Sequence, residues 1–405
     1  MISRRRFIGN VSAGLAGAAA VWASELRASA SPWTFADDAT AAGSSPMSIK
    51  PARIMFNENP LGPSPKALEA LATGLRAGNF YPFSEISRFE MRLRALHGMA
   101  TADVPAMPTL GGRVEAGGDA DLVLGVGSSE LLKAVAWAFS KGKQNVVEAH
   151  PAYSSVGSEA ASVSGGSVKR IMVPLDKDGR TDVQAMKDAV TPGTGIVILC
   201  NPNNPTGTAL KSDAVKWLAD NIPEDVLLFA DEAYIEYLDD PAEHSVVELA
   251  KTRPNVLVTR TFSKLYGLAG LRMGYGIGHR QVIRRLQPHL IGQMGINLAA
   301  LLAADAALGD KQHQADSLAL RRRTVARWSE EFPALDIKMA PTQVAMCWVD
   351  LGANARPFVN FLAQRQIQVS HGSRWNMPNF VRISMGTDAE MERLSAAAKA
   401  YRKAT

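Results

Sequence analysis

From Asp121 onward, short β-rich runs alternate with helical patterns, and this alternation restricts the fold more than any other feature of the chain. The runs are Leu122–Val126, Val146–Glu148, Val168–Val173, Gly195–Leu199, Val226–Ala230, Val256–Val258 and Met273–Ile277. Helical stretches at Glu130–Phe139, Ser154–Val163, Val183–Val190 and Lys211–Asn221 fall between them. Strands that are apolar on consecutive residues must be covered on both faces. Joined through helices, they form an α/β fold: a mostly parallel seven-stranded sheet between helical layers, with right-handed crossovers. After about Pro288 the pattern changes to long helices. A strand-rich piece follows, from Ile337 through Val349 and Ile367 to Ile383, and a terminal helix starts near Asp388. This reads as a second, smaller α+β domain, as expected for 405 residues, too many for one small core. The expected partition is a large domain over 76–287 and a small domain combining 47–75 with 288–405. Ala100–Ala120, rich in Gly, Pro and Ala, reads as a surface loop.

The first residues read as an address. Ser3-Arg4-Arg5-Arg6-Phe7-Ile8 resembles a twin-arginine export signal, a soft Gly/Ala-rich apolar stretch runs on to Ala23, and Ala28-Ser29-Ala30 offers a cleavage site before Ser31. The apolar stretch is shorter than the ~20 strongly apolar residues of a membrane span. Residues 1–30 are therefore expected to be a signal peptide read by the twin-arginine translocase, 31–46 a flexible linker, and the mature protein periplasmic. The first 30 residues hold four Arg and one Glu, so the net charge of +5 falls to +2 without them. No long basic run remains, which argues against nucleic acid as a partner. Arg321-Arg322-Arg323 reads as a solvated helix face. Two cysteines, Cys200 and Cys347, give no disulfide framework and no four-ligand zinc site, and the histidines lack metalloprotease spacing. No metal is expected.

Four segments carry chemistry, each at the end of a strand, where open α/β sheets bind ligands. Gly125-Val126-Gly127-Ser128-Ser129-Glu130 leads from a strand into a helix, where amide N–H groups and hydroxyls hold a phosphate well. By itself this could be a tight turn or a dinucleotide loop, although Glu130 stands where the third glycine would be. Asn201-Pro202-Asn203-Asn204-Pro205-Thr206-Gly207 follows the next-but-two run, Asp231-Glu232-Ala233-Tyr234 closes the run Val226–Ala230, and Thr261-Phe262-Ser263-Lys264 is followed eight residues later by Arg272. A lone Asp at a strand end is usually a cap, and a lone Lys is usually a solvated charge. Lys264, however, follows an apolar strand and precedes a Gly-rich turn, which favours a sheltered position.

Together these segments resemble the class I/II (fold-type I) pyridoxal-phosphate aminotransferases, closest to the histidinol-phosphate aminotransferase group. The resemblance runs from Phe56-Asn57-Glu58-Asn59-Pro60-Leu61-Gly62 to Val381-Arg382-Ile383-Ser384-Met385-Gly386-Thr387. It implies a homodimer that binds pyridoxal 5'-phosphate and moves an amino group between an amino acid and a 2-oxo acid. It also implies residue roles. Lys264 holds the cofactor aldehyde and then shuttles the proton at Cα. Asp231 pairs with the pyridinium nitrogen, and Asn204 and Tyr234 bond the ring hydroxyl. Ser128, Ser129, Ser263 and Arg272 hold the phosphate, and Tyr153 stacks on the ring. Arg382 and Asn57 bind substrate, with Arg382 on its carboxylate. Tyr81, in Phe80-Tyr81-Pro82, reaches the phosphate of the partner subunit.

Two positions depart from the pattern. Leu265 follows the lysine where relatives carry a small residue, which either narrows the site or repacks it. Val369-Ser370-His371-Gly372 stands where histidinol-phosphate enzymes have Val-Arg-Pro-Gly, and Ser370 has no charge to offer a substrate phosphate. Arg374 and His371 are the residues that could compensate. An ordinary amino acid, aromatic or bulky, is therefore the expected donor, with histidinol phosphate as the alternative. A decarboxylase or lyase on the same scaffold is a further alternative, because bond choice at Cα depends on substrate orientation. A non-catalytic binding module would not need Lys264, Asp231, Asn204 and Arg272 together, and a nicotinamide dehydrogenase rests on the Gly125–Glu130 loop alone.

Overall fold

β1 (Ala52–Arg53) is followed in chain order by β2 (Ala120–Val126), β3 (Asn145–His150), β4 (Lys169–Pro174), β5 (Thr194–Cys200), β6 (Leu227–Asp231), β7 (Val256–Thr261) and β8 (Met273–His279). The last seven form one sheet in the order β2-β8-β7-β6-β5-β3-β4. The structure, a computed structural model, describes residues 50–101 and 119–404. The expected signal peptide, the linker and most of the Ala100–Ala120 loop lie outside the described residues.

Every residue of the central strands β5 and β6 is buried, which accounts for their unbroken apolar runs. One apolar layer covers one face, with Val197, Leu199, Leu228 and Ala230. A second covers the other, with Ile196, Ile198, Leu227 and Phe229. The edge strand β4 differs from expectation: only Val173 is buried there, and Ile171 and Met172 are exposed. Among the described residues no strand continues the sheet beyond β4, so the covering is incomplete at that edge. All pairs are parallel except those of β8, which runs antiparallel to β7 and to β2. A loop with one short 3-10 turn joins β7 to β8, and without a helical crossover the chain must return in the opposite direction. β2, β3, β5, β6 and β7 therefore end at the same edge, and every chemistry-bearing segment opens there.

The later chain adds three long helices, Leu298–Gly309, Lys311–Ala334 and Asp388–Ala404, and five short strands: β9 (Lys338–Met339), β10 (Met346–Asp350), β11 (Ile367–Gln368), β12 (Ser370–His371) and β13 (Phe380–Ser384). β12-β13-β10-β9 form an antiparallel sheet, and β11 pairs with β1. In the β10–β13 ladder Met346 faces Ser384, Trp348 faces Arg382 and Asp350 faces Phe380, while Ser370 of β12 faces Arg382 from the other side. These residues share one sheet face because side chains alternate along a strand. The opposite face, with Val349, Val381 and Ile383, packs on Trp328, Phe358 and Leu394 in a core distinct from that of the large sheet. The described residues, 50–101 and 119–404, belong to one compact unit. The Arg321 side chain is not the solvated charge expected: it is buried and bonds Asp239 at 2.7 Å. Burial of a helix turn against the loop after β6 pulls it inward, whereas Arg322 reaches the same carboxylate from the surface.

Candidate active site

Where β2 passes into the helix Ser128–Ser140, Gly127 adopts a positive φ of 68° and donates its N–H to the carbonyl of Arg272 at 3.0 Å. Arg272 is itself left-handed, with φ 58°. This crossing leaves no room for side chains. A Cβ on Gly127 would stand 2.2 Å from Arg272 Nη2, and one on Gly274 would stand 2.4 Å from the Ser128 nitrogen. The Arg272 guanidinium is thus folded over the start of the helix, where Nη2 donates to Ser129 Oγ at 3.2 Å and Nη1 to the Ala269 carbonyl at 2.8 Å. Helix N-terminal amides carry partial positive charge, so cation and helix end attract the same kind of ligand, an anion with several oxygens. Among the described residues no carboxylate pairs with Arg272. Buried Ser263 lies at the end of β7, its hydroxyl accepting from Thr261 Oγ1 at 2.9 Å.

Asp231 ends β6 and is buried, with weak support: Oδ1 accepts from the Ala233 N–H at 3.2 Å and Thr259 Oγ1 at 3.5 Å. Burial pushes its pKa up to about 6, opposed by those two donors and by Lys264. A buried carboxylate this poorly compensated is suited to a cationic partner. Lys264 supplies the opposite case. Burial, and then the charge of Arg382, lower its pKa to about 8, while Glu58 and Asp231 partly restore it. Its Nζ donates to the Phe56 carbonyl at 3.2 Å and lies 5.5 Å from the Tyr234 ring centre, while the side chain keeps partial contact with solvent. An amine held near neutrality is a nucleophile and a base at physiological pH.

The Tyr234 hydroxyl accepts from Asn57 Nδ2 at 2.9 Å and from Asn204 Nδ2 at 3.5 Å. Burial pushes its ionisation well above the ordinary tyrosine value. Asn57 spends the rest of its amide on Met346 Sδ, at 3.1 Å, and on Ser384 Oγ, which donates to its Oδ1 at 2.7 Å. These contacts hold Asn57 against Tyr234. Asn59 bonds the Leu265 carbonyl at 2.7 Å and Ser317 Oγ at 2.8 Å, fixing the residue after the lysine. Leu265 packs into the small-sheet core, so this departure from the usual small residue is accommodated by repacking. Tyr153 is 43% exposed and feels the charges of Asp231 and Arg272, which places it at the rim.

Arg382 is buried on β13. Its Nη1 donates to Asn204 Oδ1 at 2.7 Å, and its Nη2 donates to the Met55 carbonyl and, at 3.2 Å, to Ser370 Oγ. Its Nε is buried without a partner, and among the described residues no carboxylate pairs with it. Burial lowers its pKa to about 10, which leaves it charged and in want of an anion. Ser370 is therefore a support for Arg382, anchored in turn by its own 2.8 Å bond to the Met55 carbonyl. His371 cannot swing toward the site without cost, because its Nδ1 caps the Ser373 N–H at 3.0 Å. Arg374 remains exposed.

Contacts thus link Lys264, Tyr234, Asn57, Asn204 and Arg382; Asp231 acts on Lys264 through its charge, and Arg272, Ser128, Ser129 and Ser263 lie along the same sheet edge. Tyr81 is not among them: it is 67% exposed, stacks on Phe83 at 5.7 Å, and lines a separate cavity with Phe80, Met294 and Ile296. Sequence reasoning missed Ser384, Trp375 and the carbonyls of Met55 and Phe56. No local signal announces a carbonyl as a site group, and Trp375 is marked only by sitting between Arg374 and a left-handed Asn376.

Residues 55–397 match the family described as aminotransferase class I and II. The chain is 34% identical over 343 residues to a histidinol-phosphate aminotransferase of Moorella thermoacetica, covering 84% of this chain and 82% of that protein. It is 34% identical over 352 residues to a histidinol-phosphate aminotransferase 2 of Pseudomonas aeruginosa, covering 86% and 89%. Its structure is similar to that of a Sinorhizobium meliloti histidinol-phosphate aminotransferase in complex with pyridoxal-5'-phosphate, with a TM-score of 0.76, 26% identity, and coverage of 88% and 91%.

The depressed Lys264 pKa has a direct consequence. Its neutral fraction should rise through about pH 8, whereas an ordinary exposed lysine stays protonated to ~10.4. Reductive methylation of cofactor-free protein between pH 7 and 11, read by peptide mass spectrometry, should show Lys264 half-reactive near pH 8. A midpoint shared with the exposed lysines would refute the shift.

Proposed function

The chain belongs to the class I and II aminotransferases, and from that premise we propose how its own residues divide the work. The enzyme is pyridoxal-phosphate-dependent and moves an amino group between an amino acid and a 2-oxo acid. When bound, the cofactor supplies an electron sink for the charge left at the donor's Cα. Lys264 would hold its aldehyde and, once released, carry the proton at Cα. Asp231 would keep the ring nitrogen protonated, Asn204 and Tyr234 would hold the ring hydroxyl, and Tyr153 would cover the ring. Ser128, Ser129, Ser263 and Arg272 would hold the phosphate. Arg382 would bind the substrate carboxylate, alike for amino acid and oxo acid, because both carry the same planar group. The observation that carries this assignment is the pair of buried, uncompensated charges of opposite sign, Asp231 and Arg382, with Lys264 feeling both. The amine then stands on the large domain, 76–287, and the carboxylate anchor on the small one, 47–75 with 288–405.

The donor we propose is an amino acid with a free α-carboxylate and a bulky side chain. Ser370 brings no charge, and its hydroxyl is occupied by Met55 and Arg382. The names of the similar proteins favour a second reading, histidinol phosphate. We also propose a homodimer. Phe80, Tyr81, Ile291 and Met294 are each more than half exposed, and exposed aromatic and aliphatic surface of this kind calls for cover. A second copy would provide it and would bring Tyr81 to the partner's phosphate site. Finally, we propose export by the twin-arginine route into the periplasm. A cofactor enzyme that crosses folded keeps a group loaded in the cytoplasm, which gives Arg4 and Arg5 a mechanical reason.

Three measurements test these readings. First, kcat/KM for histidinol phosphate is compared with a panel of amino acids at fixed oxo-acid acceptor; a bulky amino acid should win, and a large margin for histidinol phosphate would reverse the substrate assignment. Second, Lys264→Ala should lose ~10³-fold or more in turnover. Mixing it with a Tyr81→Ala protein of impaired cofactor retention should restore part of the activity in hybrid dimers, and no recovery would remove the shared site. Third, Arg4→Lys with Arg5→Lys should strand cofactor-loaded enzyme in the cytoplasm, so undiminished periplasmic activity would count against the export route.

A further inference from the structure

Arg382 and Arg374 share one indole. The Trp375 ring centre lies 5.3 Å from the guanidinium carbon of Arg382 and 6.0 Å from that of Arg374. Two cations beside one aromatic ring repel each other, and Arg374 is among the charges that disfavour the charged form of Arg382. The buried member, Arg382, carries the desolvation cost that an anion offsets, whereas the exposed Arg374 is free to take a second one. Arg382 has its expected anion in the substrate carboxylate. Arg374 has no ion pair among the described residues, and it is an exposed residue.

The turn that carries Arg374 is held in place from several sides. His371 caps the Ser373 N–H, and the Met377 N–H closes on the Gly372 carbonyl at 3.0 Å. A Cβ on Gly372 would meet the Met377 carbonyl at 2.1 Å. Trp375 donates its Nε1 to the Ala152 carbonyl at 3.1 Å, next to Tyr153 at the site rim. The cation is thus mounted on a fixed turn that is bonded to the wall of the site. The division of work proposed above leaves it unused: Arg272 would serve the cofactor phosphate and Arg382 the α-carboxylate.

We propose that Arg374 is a specificity-determining residue that binds a second acidic group at the end of the substrate side chain. The assignment rests on Arg382 holding the α-carboxylate. The bulky donor is then an amino acid with an acid at its far end, and the product oxo acid carries two acids. A side-chain carboxylate and a phosphate ester satisfy the same guanidinium, so both need to be probed.

The test uses the holoenzyme and matched donor pairs: glutamate against glutamine for the carboxylate, and O-phosphoserine against serine for the phosphate. The quantity read is the ratio of kcat/KM, acid over neutral, within each pair. The parent should favour the acid in at least one pair, by about tenfold for a charge-assisted contact. Arg374→Gln should bring that ratio close to one, mainly through KM, and Arg374→Lys should keep part of it. The pair that responds identifies the acid. A parent ratio near one in both pairs, or a ratio that survives Arg374→Gln, overturns the proposal while leaving the carboxylate role of Arg382 intact. Preference for histidinol phosphate over every amino acid overturns both, because the α-carboxylate would then not be what Arg382 holds.

Discussion

The bond from Arg382 to Asn204, 2.7 Å long, is the contact on which the site depends. It joins a strand of the four-stranded sheet to the loop after β5 of the seven-stranded sheet. The guanidinium also takes the Met55 carbonyl and Ser370, so three separate stretches of chain converge on one buried cation. A charged group removed from water is stable only when its donors are occupied or a counter-ion arrives. Here the hydrogen bonds occupy part of the fork, Nε stays unpartnered, and among the described residues no carboxylate pairs with the charge.

Asp231 is the complement. Glu232 next to it is fully engaged by Arg260, Ser245 and the Val246 N–H, whereas Asp231 has two weak donors and no bonded cation. Adjacent residues, Asp231 as the last of β6 and Glu232 just beyond it, thus meet opposite fates, because different groups surround their side chains. The carboxylate that turns into the structure finds an arginine, and the one that turns toward the site does not. Asp231 and Arg382 are held on different sheets, so they do not neutralise each other. Lys264 feels both, and its amine is poised by burial and by the nearby cation together.

Most of the sheet was legible in the chain because burial on both faces writes itself as consecutive apolar residues, as in β5 and β6. The exposed edge β4 and the reversed β8 were less so. Ile171 and Met172 look like core residues but face outward, and direction depends on the connection rather than on the strand's own composition. In the site, Lys264, Asp231, Asn204 and Arg272 stood out because each lies in a compact motif at a strand end. Ser370 stood out for a different reason from the one the structure gives. As a sequence feature it is a missing charge; in the fold it is a bonded support for Arg382.

The sequence by itself determined the order of elements, the edge at which the chemistry-bearing segments open and the residues carrying the amine, the acid and the two arginines at issue. Those depend on local periodicity and on short motifs, which neighbours along the chain suffice to encode. Tertiary structure decided which charges are left unpaired. Arg321 is neutralised by Asp239 and Glu232 by Arg260, while the buried Arg382 and Asp231 form no ion pair among the described residues. Compensation of a charge depends on burial and on groups brought within a few ångströms from distant parts of the chain, and no spacing in the sequence records that distance.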